Sequence, residues 1–342
     1  MSGIVSGCDR RCGTTVSGMK RGIIRTIIIA LTLLIALLRG CTACGSCAAS
    51  VFSARRVATF NIRKFGQEPK DMARVADVLW KARADVVALQ EVMKVEAAED
   101  LARRLSTGAR RFRVALSNCG GKSGMRVGFL YDEGRVTLRE TREYPDLEPD
   151  GKGSCNDGDK AALLGAFDAG GRAFQLLAIH LAAGSEPEKL ARRKEQWARA
   201  LLIATMAGKK GPVAILGDTN STGFLDDRHG ERTFIVETAR DAKLTLATKD
   251  LGCSEYYGPV DALRPSLLDH VLATPGLVKD GSAEVHGFCA ELGCKPQSRA
   301  PQDFLNVSDH CPVTFDLADV RPSMHDPDSM SDESDDEERS AR

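Results

Sequence analysis

An α/β (α+β) fold is what this sequence predicts, on three observations. Apolar runs of strand length recur along the chain, and several stop at a side chain able to hold a metal, a phosphate or a proton. Between them lie segments whose apolar residues repeat at helical spacing. The chain's 342 residues, 43% of them hydrophobic, suffice for one large core.

In order, Val57–Phe60 reads as a strand that ends in Asn61-Ile62-Arg63-Lys64-Phe65-Gly66. A helix is expected over 69–82, with Met72, Val75, Ala76 and Leu79 on one face. Asp85–Leu89 is a second strand, closed by Gln90-Glu91-Val92, and a polar helix follows over 95–105. Val127–Tyr131 is a third strand, whereas 141–160, rich in Gly, Asp and Pro, reads as an exposed loop. Strands return at 161–167 and 174–179, the latter delivering His180. Ser185-Glu186-Pro187-Glu188 reads as a capping box opening a helix that runs to about Ala207. Val213–Leu216 is a buried strand ending in Gly217-Asp218-Thr219-Asn220. Alternation along an extended chain turns Asp218 and Asn220 to one side. Residues 221–265 read as loop-rich, Leu267–Leu272 as a strand carrying Asp269 and His270, and Ser308-Asp309-His310-Cys311-Pro312 leads into a last strand, Val313–Phe315.

The net charge of zero conceals three regions: +5 over residues 1–50, +1 over the middle, and −6 from Pro322 onward. A bulk-basic nucleic-acid binder is thereby excluded, and a polyanion has to be held by a local site or by metal. The tail 322–342 has too few apolar residues to fold and is expected to be disordered. Near the start, Lys20, Arg21 and Arg25 precede the apolar run Thr26–Leu38 and then small residues, the pattern of an export signal. As a helix that run spans about 20 Å against a hydrocarbon layer of roughly 30 Å, too short to cross. Met19 is the more normal start for such a signal, so residues 1–18 are expected to be an over-extended reading frame, with Met1 as the alternative start. Leu38-Arg39-Gly40-Cys41 resembles a bacterial lipoprotein cleavage box with Cys41 as the lipid-attachment residue, although Arg39 departs from that pattern. The expected organisation is therefore an export segment over 1–50, a catalytic domain over 51–321 and the acidic tail. The protein is expected to be exported: membrane-anchored through the signal or lipid, or periplasmic or extracellular.

Six cysteines follow position 50, and an even number in an exported domain permits disulfides whose pairing the sequence leaves open; Cys311 reads equally as a buried thiol. Gly121-Lys122-Ser123 is no phosphate-binding loop, because Leu116 stands where its first glycine is needed. Asn220-Ser221-Thr222 and Asn306-Val307-Ser308 match the glycosylation pattern. Sugars there would crowd the candidate site, which favours bacterial export.

Asn61, Glu91, His180, Asp218 with Asn220, Asp269, and Asp309 with His310 thus occur in a fixed order at strand ends or within strands. In that order they resemble the endonuclease/exonuclease/phosphatase superfamily over roughly 55–317. The segments Thr59–Gly66, Ala88–Val92, Ile179–Ala182 and Ser308–Pro312 are most similar to its deoxyribonuclease I-like branch. The resemblance implies a four-layered sandwich of two mixed β-sheets flanked by helices. It also implies metal-assisted hydrolysis of phosphodiesters, with DNA as substrate, Mg²⁺ or Mn²⁺ as cofactor and Ca²⁺ as structural support.

In such a site Glu91 is the expected metal ligand, since a hard cation prefers carboxylate oxygen, with Asp309 assisting. Asn61 and Asn220 are expected to donate to phosphate oxygens, and Arg63 is either a phosphate contact or a solvated loop residue. His180 and His310 suit proton transfer near neutral pH. Asp269 is expected to orient His310, and Asp218 to orient water or act as base. Two positions depart from the deoxyribonuclease pattern. Met125 stands where a glutamate would support the first histidine, and Lys160 is the nearest cation to where a phosphate-binding arginine is expected. Alternative readings keep the fold but act on sphingomyelin or inositol phosphates, or make the chain an inactive adhesion or scaffold module. All eight core positions are intact, which argues against the last.

Overall fold

The computed structural model describes residues 56–145, 147, 154, 155, 158 and 160–319. The segment expected to direct export, with Cys41, and the acidic tail lie outside the described residues.

Two six-stranded mixed sheets form the centre. The first contains β1 (Arg56–Phe65), β2 (Val86–Val92), β3 (Phe112–Leu116), β4 (Arg126–Asp132), β13 (Glu284–Val285) and β14 (Val313–Asp316), in the order β13-β14-β1-β2-β4-β3. The second contains β5 (Thr137–Tyr144), β6 (Ala162–Ala169), β7 (Arg172–His180), β8 (Val213–Asp218), β9 (Thr245–Leu246) and β12 (Asp269–Ala273), in the order β5-β6-β7-β8-β12-β9. Within each sheet one central pair is parallel, β1 with β2 and β7 with β8. A small hairpin, β10 (Glu255–Tyr257) with β11 (Arg264–Ser266), lies outside both.

Three apolar layers weld these sheets to their helices. Val57, Ala88, Phe129, Phe167, Leu176 and Leu216 belong to the core between the sheets, where Phe129 meets Phe167 edge to face at 5.2 Å. On the outside of the first sheet, Val75 and Leu79 of α1 (Met72–Ala82) and Leu101 and Leu105 of α2 (Val95–Leu105) pack on Phe60, Leu89 and Leu130. On the outside of the second, Trp197, Ala200 and Ile203 of α3 (Pro187–Gly208) and Ile235 of α4 (Glu231–Asp241) pack on Leu177, Ile179 and Ile215. This is the four-layered arrangement expected. Two five-residue helices, α5 (Gly287–Glu291) and α6 (Gln302–Asn306), complete the described elements.

The boundaries depart from the sequence reading where a cap or an edge decides. Asp71 accepts from the amides of Ala73 and Arg74, so α1 starts at Met72 and not at 69. The capping box at Ser185 does not form: Glu186 is the N-cap residue, without a side-chain bond, and Pro187 opens α3 with its fixed φ. Part of the expected loop 141–160 is strand, because β5 is a charged edge strand that runs to Tyr144. Within the expected loop 221–265, α4 buries only Glu231, Ile235 and Ala239, a stripe too narrow for apolar spacing to reveal.

Three disulfides, Cys119–Cys155, Cys253–Cys294 and Cys289–Cys311, pair all six later cysteines; Cys311 is therefore no free thiol. They close spans of 36, 41 and 22 residues. In the chain-entropy account each contributes about 3–4 kcal/mol by restricting the unfolded chain.

Gly217 shows how tightly the second sheet is drawn together. Its φ is 148°, and a Cβ there would lie 2.0 Å from the carbonyl oxygen of Ile179 on β7. Gly217→Ala is expected to lose about 3 kcal/mol or more, since backbone and not a flexible side chain has to move. Urea unfolding of the mutant measures it; a loss below about 1 kcal/mol rejects this tight approach.

Candidate active site

Strand direction assembles the site. The C-terminal ends of the parallel pairs deliver Asn61 and Glu91 from the first sheet and His180 and Asp218 from the second. β12 runs antiparallel to β8, so its first residue, Asp269, lies opposite Asp218, while His180 is Asp218's partner on the other side. Paired residues on neighbouring strands point to one face, which makes His180, Asp218 and Asp269 a row. Asn61 closes the gap between the sheets, its Nδ2 donating to Asp218 Oδ2 at 2.9 Å and to Glu91 Oε1 at 3.2 Å.

Backbone irregularities aim these groups. The β1–β2 ladder shifts register between Asn61 and Phe65, and the β2–β4 ladder shifts between Leu89 and Val92. Lys64, Glu91 and Asn220 have positive φ values of 46°, 59° and 50°. Such strain in non-glycine residues persists only where surrounding bonds over-determine it. Those bonds are present: Glu91 Oε2 accepts from the Lys64 amide at 2.9 Å, and Asp218 Oδ1 accepts from the Asn220 amide at 2.9 Å.

Asp218 Oδ2 is the meeting point. Besides Asn61, it has His180 Nε2 at 3.3 Å and His310 Nε2 at 3.6 Å. The other ring nitrogen of His310 lies 2.8 Å from Asp269 Oδ2, the orientation expected of that carboxylate. Asp269 is held in turn by Ser254 Oγ, which accepts from the amides of Leu268 and Asp269. Ser308 Oγ ties the last loop back to β1 through the Asn61 carbonyl at 2.7 Å.

The two histidines sit in opposite electrostatic surroundings. For His310, burial favours the neutral ring, but Asp269 and Asp218 outweigh it and raise the pKa well above 6.5. For His180, burial and the adjacent Lys160 ammonium lower it, against the pull of Asp218 and Glu91. Burial disfavours the Asp218 carboxylate, yet His310, His180 and Lys160 hold its pKa below the usual range. Glu91 is likewise lowered: His180, the Lys64 amide and Asn61 overcome its burial.

The remaining expected residues are placed as follows. Asn220 Nδ2 donates to the Leu181 carbonyl at 3.1 Å, joining the loops that follow β7 and β8. Asp309 lies at the rim, 3.4 Å from Arg63 NH1 and 3.3 Å from Ser308 Oγ. Arg63 is therefore neither wholly solvated nor inside the cluster; it is ion-paired to Asp309 and Glu68. Ligand atoms close enough to share one ion come from Glu91, His180 and Asp218, or from Asp218, Asp269 and His310; Asp309 is in neither group among the described residues.

Sequence reasoning missed two contributors, Arg193 and Glu255, and named a third, Lys160, without placing it against His180. Arg193 is fully buried and forms a two-pronged pair with Glu231, 2.8 and 2.6 Å, while donating to the carbonyls of Ala182 and Gly184 and to Thr222 Oγ1. It thereby fixes the loops that follow His180 and Asn220. Its clue was an arginine on the apolar face of α3, in step with Trp197 and Ala200. Glu255 faces His310 across an isolated β-bridge. Burial pushes its carboxyl up to about 8, with His310 opposing and Asp309, Asp218 and Asp269 adding. No periodicity marked it. Lys160 reaches His180 Nε2 at 2.9 Å, and His180 Nδ1 is buried without a hydrogen-bond partner among the described residues. The latter accords with the missing glutamate at Met125.

Among proteins with curated descriptions none matches the chain. Solved structures do. An endonuclease/exonuclease/phosphatase from Bacteroides vulgatus is 19% identical, with 78% of this chain and 98% of that one covered and a TM-score of 0.53. TDP2 of D. rerio, complexed with a single-strand DNA product, is 16% identical, with 77% and 98% covered and a TM-score of 0.54. The mannosyl-6-phosphatase Bt3783 of Bacteroides thetaiotaomicron is 18% identical, with 77% and 99% covered and a TM-score of 0.50. At these identities the likeness is one of fold. The model of the endonuclease/exonuclease/phosphatase family matches residues 58–310, and with most of the chain inside that match, this protein belongs to the endonuclease/exonuclease/phosphatase family.

Proposed function

We propose that the protein is an exported, divalent-metal-dependent phosphodiesterase that hydrolyses DNA. The observation that carries the reading is the pairing of a charged His310 with a neutral His180 on opposite sides of one buried carboxylate, Asp218. Phosphodiester hydrolysis needs a proton acceptor for water and a proton donor for the leaving oxygen, and these environments separate the two roles.

The donor set fits a hard divalent ion. Glu91 offers a carboxylate poised below its usual pKa, and Asn61 Oδ1 is buried with no partner among the described residues. Glu91 and Asn61 would hold Mg²⁺ or Mn²⁺, with Asp309 assisting from the rim. When bound, the ion supplies positive charge to the phosphoryl oxygens. Asp218, already fixed by Asn61 and the Asn220 amide, orients the attacking water, and the neutral His180 accepts its proton. His310 gives its Nε2 proton to the departing oxygen while Asp269 holds the imidazolium in place. Asn220 steadies the loop from which phosphate is approached.

The resemblance of the strand-end motifs to deoxyribonuclease I supports DNA, as does the DNA product carried by the TDP2 structure. A phosphatase or headgroup phosphodiesterase is the second reading. It is favoured by the +1 charge of the middle region, which offers a long polyanion no bulk attraction, and by the mannosyl-6-phosphatase neighbour. Export is supported by the apolar run Thr26–Leu38 and by three disulfides in the catalytic domain, with Cys41 as lipid anchor.

Purified protein with Mg²⁺ is expected to nick supercoiled plasmid. His310→Ala is expected to lower turnover by about 10²–10⁴-fold with folding retained. Intact plasmid alongside release of phosphocholine from sphingomyelin, or of phosphate from inositol phosphates, moves the protein to the second reading. Glu91→Gln is expected to weaken Mg²⁺ and Mn²⁺ binding at least about tenfold by calorimetry, and an unchanged isotherm removes Glu91 from the metal site.

The pH profile has a predictable sign. His310 must be charged, and its raised pKa keeps it so above 6.5, with the charge lost as pH rises through the folded-state value. Asp269→Asn removes a carboxylate that raises it, so the alkaline limb of kcat/KM is expected to move to lower pH. An unmoved limb rejects His310 as the proton donor. The stability that His310 gains from its partners follows the same direction: complete below about 6.5 and lost at alkaline pH.

A further inference from the structure

We propose that the Cys289–Cys311 and Cys253–Cys294 bridges are positioning elements for His310, so that phosphoester hydrolysis depends on their oxidation. The inference rests on the reading of His310 as the proton donor of this site and deepens it.

Both bridges start from one short segment. The Cys294 amide bonds the Cys289 carbonyl at 3.2 Å, so α5 and the turn after it carry the two cysteines together. From there one bridge runs to Cys311, the residue after His310, and the other to Cys253, the residue before Ser254. Those two ends hold the proton donor between them. The Cys311 amide bonds the Ser254 carbonyl at 2.8 Å, the Tyr256 amide bonds the Asp309 carbonyl at 3.0 Å, and Glu255 pairs with His310 in the β-bridge. Ser254 Oγ also accepts from the amides of Leu268 and Asp269, at 3.1 and 3.0 Å. The same segment therefore sets the carboxylate that orients the His310 ring.

Packing makes these ties depend on sulfur. Among the described residues, the three large apolar layers contain no cysteine. The segment beside His310 belongs instead to a separate small cluster, whose buried residues are Cys253, Tyr256, Leu263, Phe288, Cys289 and Cys311. A core so small buries too little apolar surface to fix a loop unaided, which is the situation in which disulfides take over. With the bridges open, the four-layered body keeps its own cores, and Asn61 and Glu91 keep their strands. The segments on either side of His310 lose the neighbour that fixes them.

Access sets the order of opening. Cys253, Cys289 and Cys311 are fully buried, whereas Cys294 is half-buried, so a dithiol reaches the Cys294 sulfur first. Each bridge takes up two electrons and two protons: its S–S bond breaks to give two thiols while the dithiol closes to a cyclic disulfide. Release of Cys294 loosens the segment that covers Cys289–Cys311. A shift of about 1 Å in a reacting group costs about 10²-fold in rate. The reduced chain thus keeps its metal ligands and lacks a placed proton donor. Such a hydrolase is silent in a reducing compartment and is completed in an oxidising one.

The test compares the full-length oxidised protein, the same protein opened with dithiothreitol, and the paired variants Cys289→Ala/Cys311→Ala and Cys253→Ala/Cys294→Ala. Peptide mass spectrometry shows which bridges are open, and Ile203→Ala, in the outer layer of the second sheet, controls for lost stability alone. The readouts are bis(p-nitrophenyl) phosphate turnover with Mg²⁺, Mg²⁺ calorimetry, circular dichroism, and the downfield imidazole N–H proton resonance of His310, identified by its absence in His310→Ala. The reduced protein and both paired variants are expected to lose about 10²-fold in turnover together with the His310 resonance, and to keep their circular dichroism and Mg²⁺ binding. Reoxidation is expected to restore turnover and resonance to the wild type, and Ile203→Ala to melt lower with its resonance intact. Unchanged turnover and resonance in either paired variant overturn the proposal, as does loss of turnover only together with circular dichroism and Mg²⁺ binding, which marks general unfolding. If the oxidised wild type hydrolyses no phosphoester with any divalent metal, the proposed function fails on its own. The resonance then decides the positioning alone: its loss on opening the bridges upholds it, and its persistence rejects it.

Discussion

The buried carboxylate of Asp218 is the constraint on which the rest of this structure depends. It is 2% exposed at the junction of two sheets, and an ion so placed is costly by several kcal/mol unless fixed donors surround it. The donors come from separate parts of the chain: Asn61 on β1, the Asn220 amide after β8, and the ring of His310. None reaches Asp218 unless both sheets end at the same level. The parallel pairs β1–β2 and β7–β8 ensure that, since parallel neighbours finish at the same edge. The close approach at Gly217 and the Arg193–Glu231 pair serve the same end from further out, holding β8 against β7 and the loops that carry His180 and Asn220.

Strain is stored where the chemistry is expected. Seven non-glycine residues have positive φ among the described residues, and Lys64, Glu91 and Asn220 are three of them. Each is clamped by, or itself clamps, a site carboxylate. The Lys64 amide and Glu91 satisfy one another, and the Asn220 amide satisfies Asp218. Backbone bent to present an N–H to a carboxylate does two things together. It aims the side chain, and it lowers the carboxyl pKa so that the group stays ionised although buried.

The site was largely legible in the sequence because strand termini are local events. An apolar run that stops at Asn61, His180 or Asp218 announces both the strand and the direction of its end, and the order of these stops carried the resemblance. What the sequence did not show was decided by distant partners. Nothing local distinguishes Cys311 as a thiol from Cys311 bridged to Cys289, and the strand character of β5 depends on β6 alongside a run of charged residues. Ser185-Glu186-Pro187-Glu188 has the residues of a capping box, yet Pro187 begins the helix one position later than Ser185 would require. Glu255 had no local mark at all, because its environment is made by His310, more than fifty residues further on.

The departures at Met125 and Lys160 belong together. Both site histidines are almost fully buried, so burial pushes each toward neutrality, and the neighbour decides the outcome. His310 has a carboxylate on Nδ1 and stays charged. His180 has no partner on Nδ1 among the described residues and an ammonium on Nε2, so it stays neutral. Had a glutamate stood at 125 and contacted His180, two imidazolium rings would flank Asp218 and the site would hold two proton donors and a weakened acceptor. With methionine there and Lys160 across the ring, positive charge lies on the ammonium beside the imidazole and not on the imidazole itself. One face of Asp218 is thereby reserved for accepting a proton and the other for giving one.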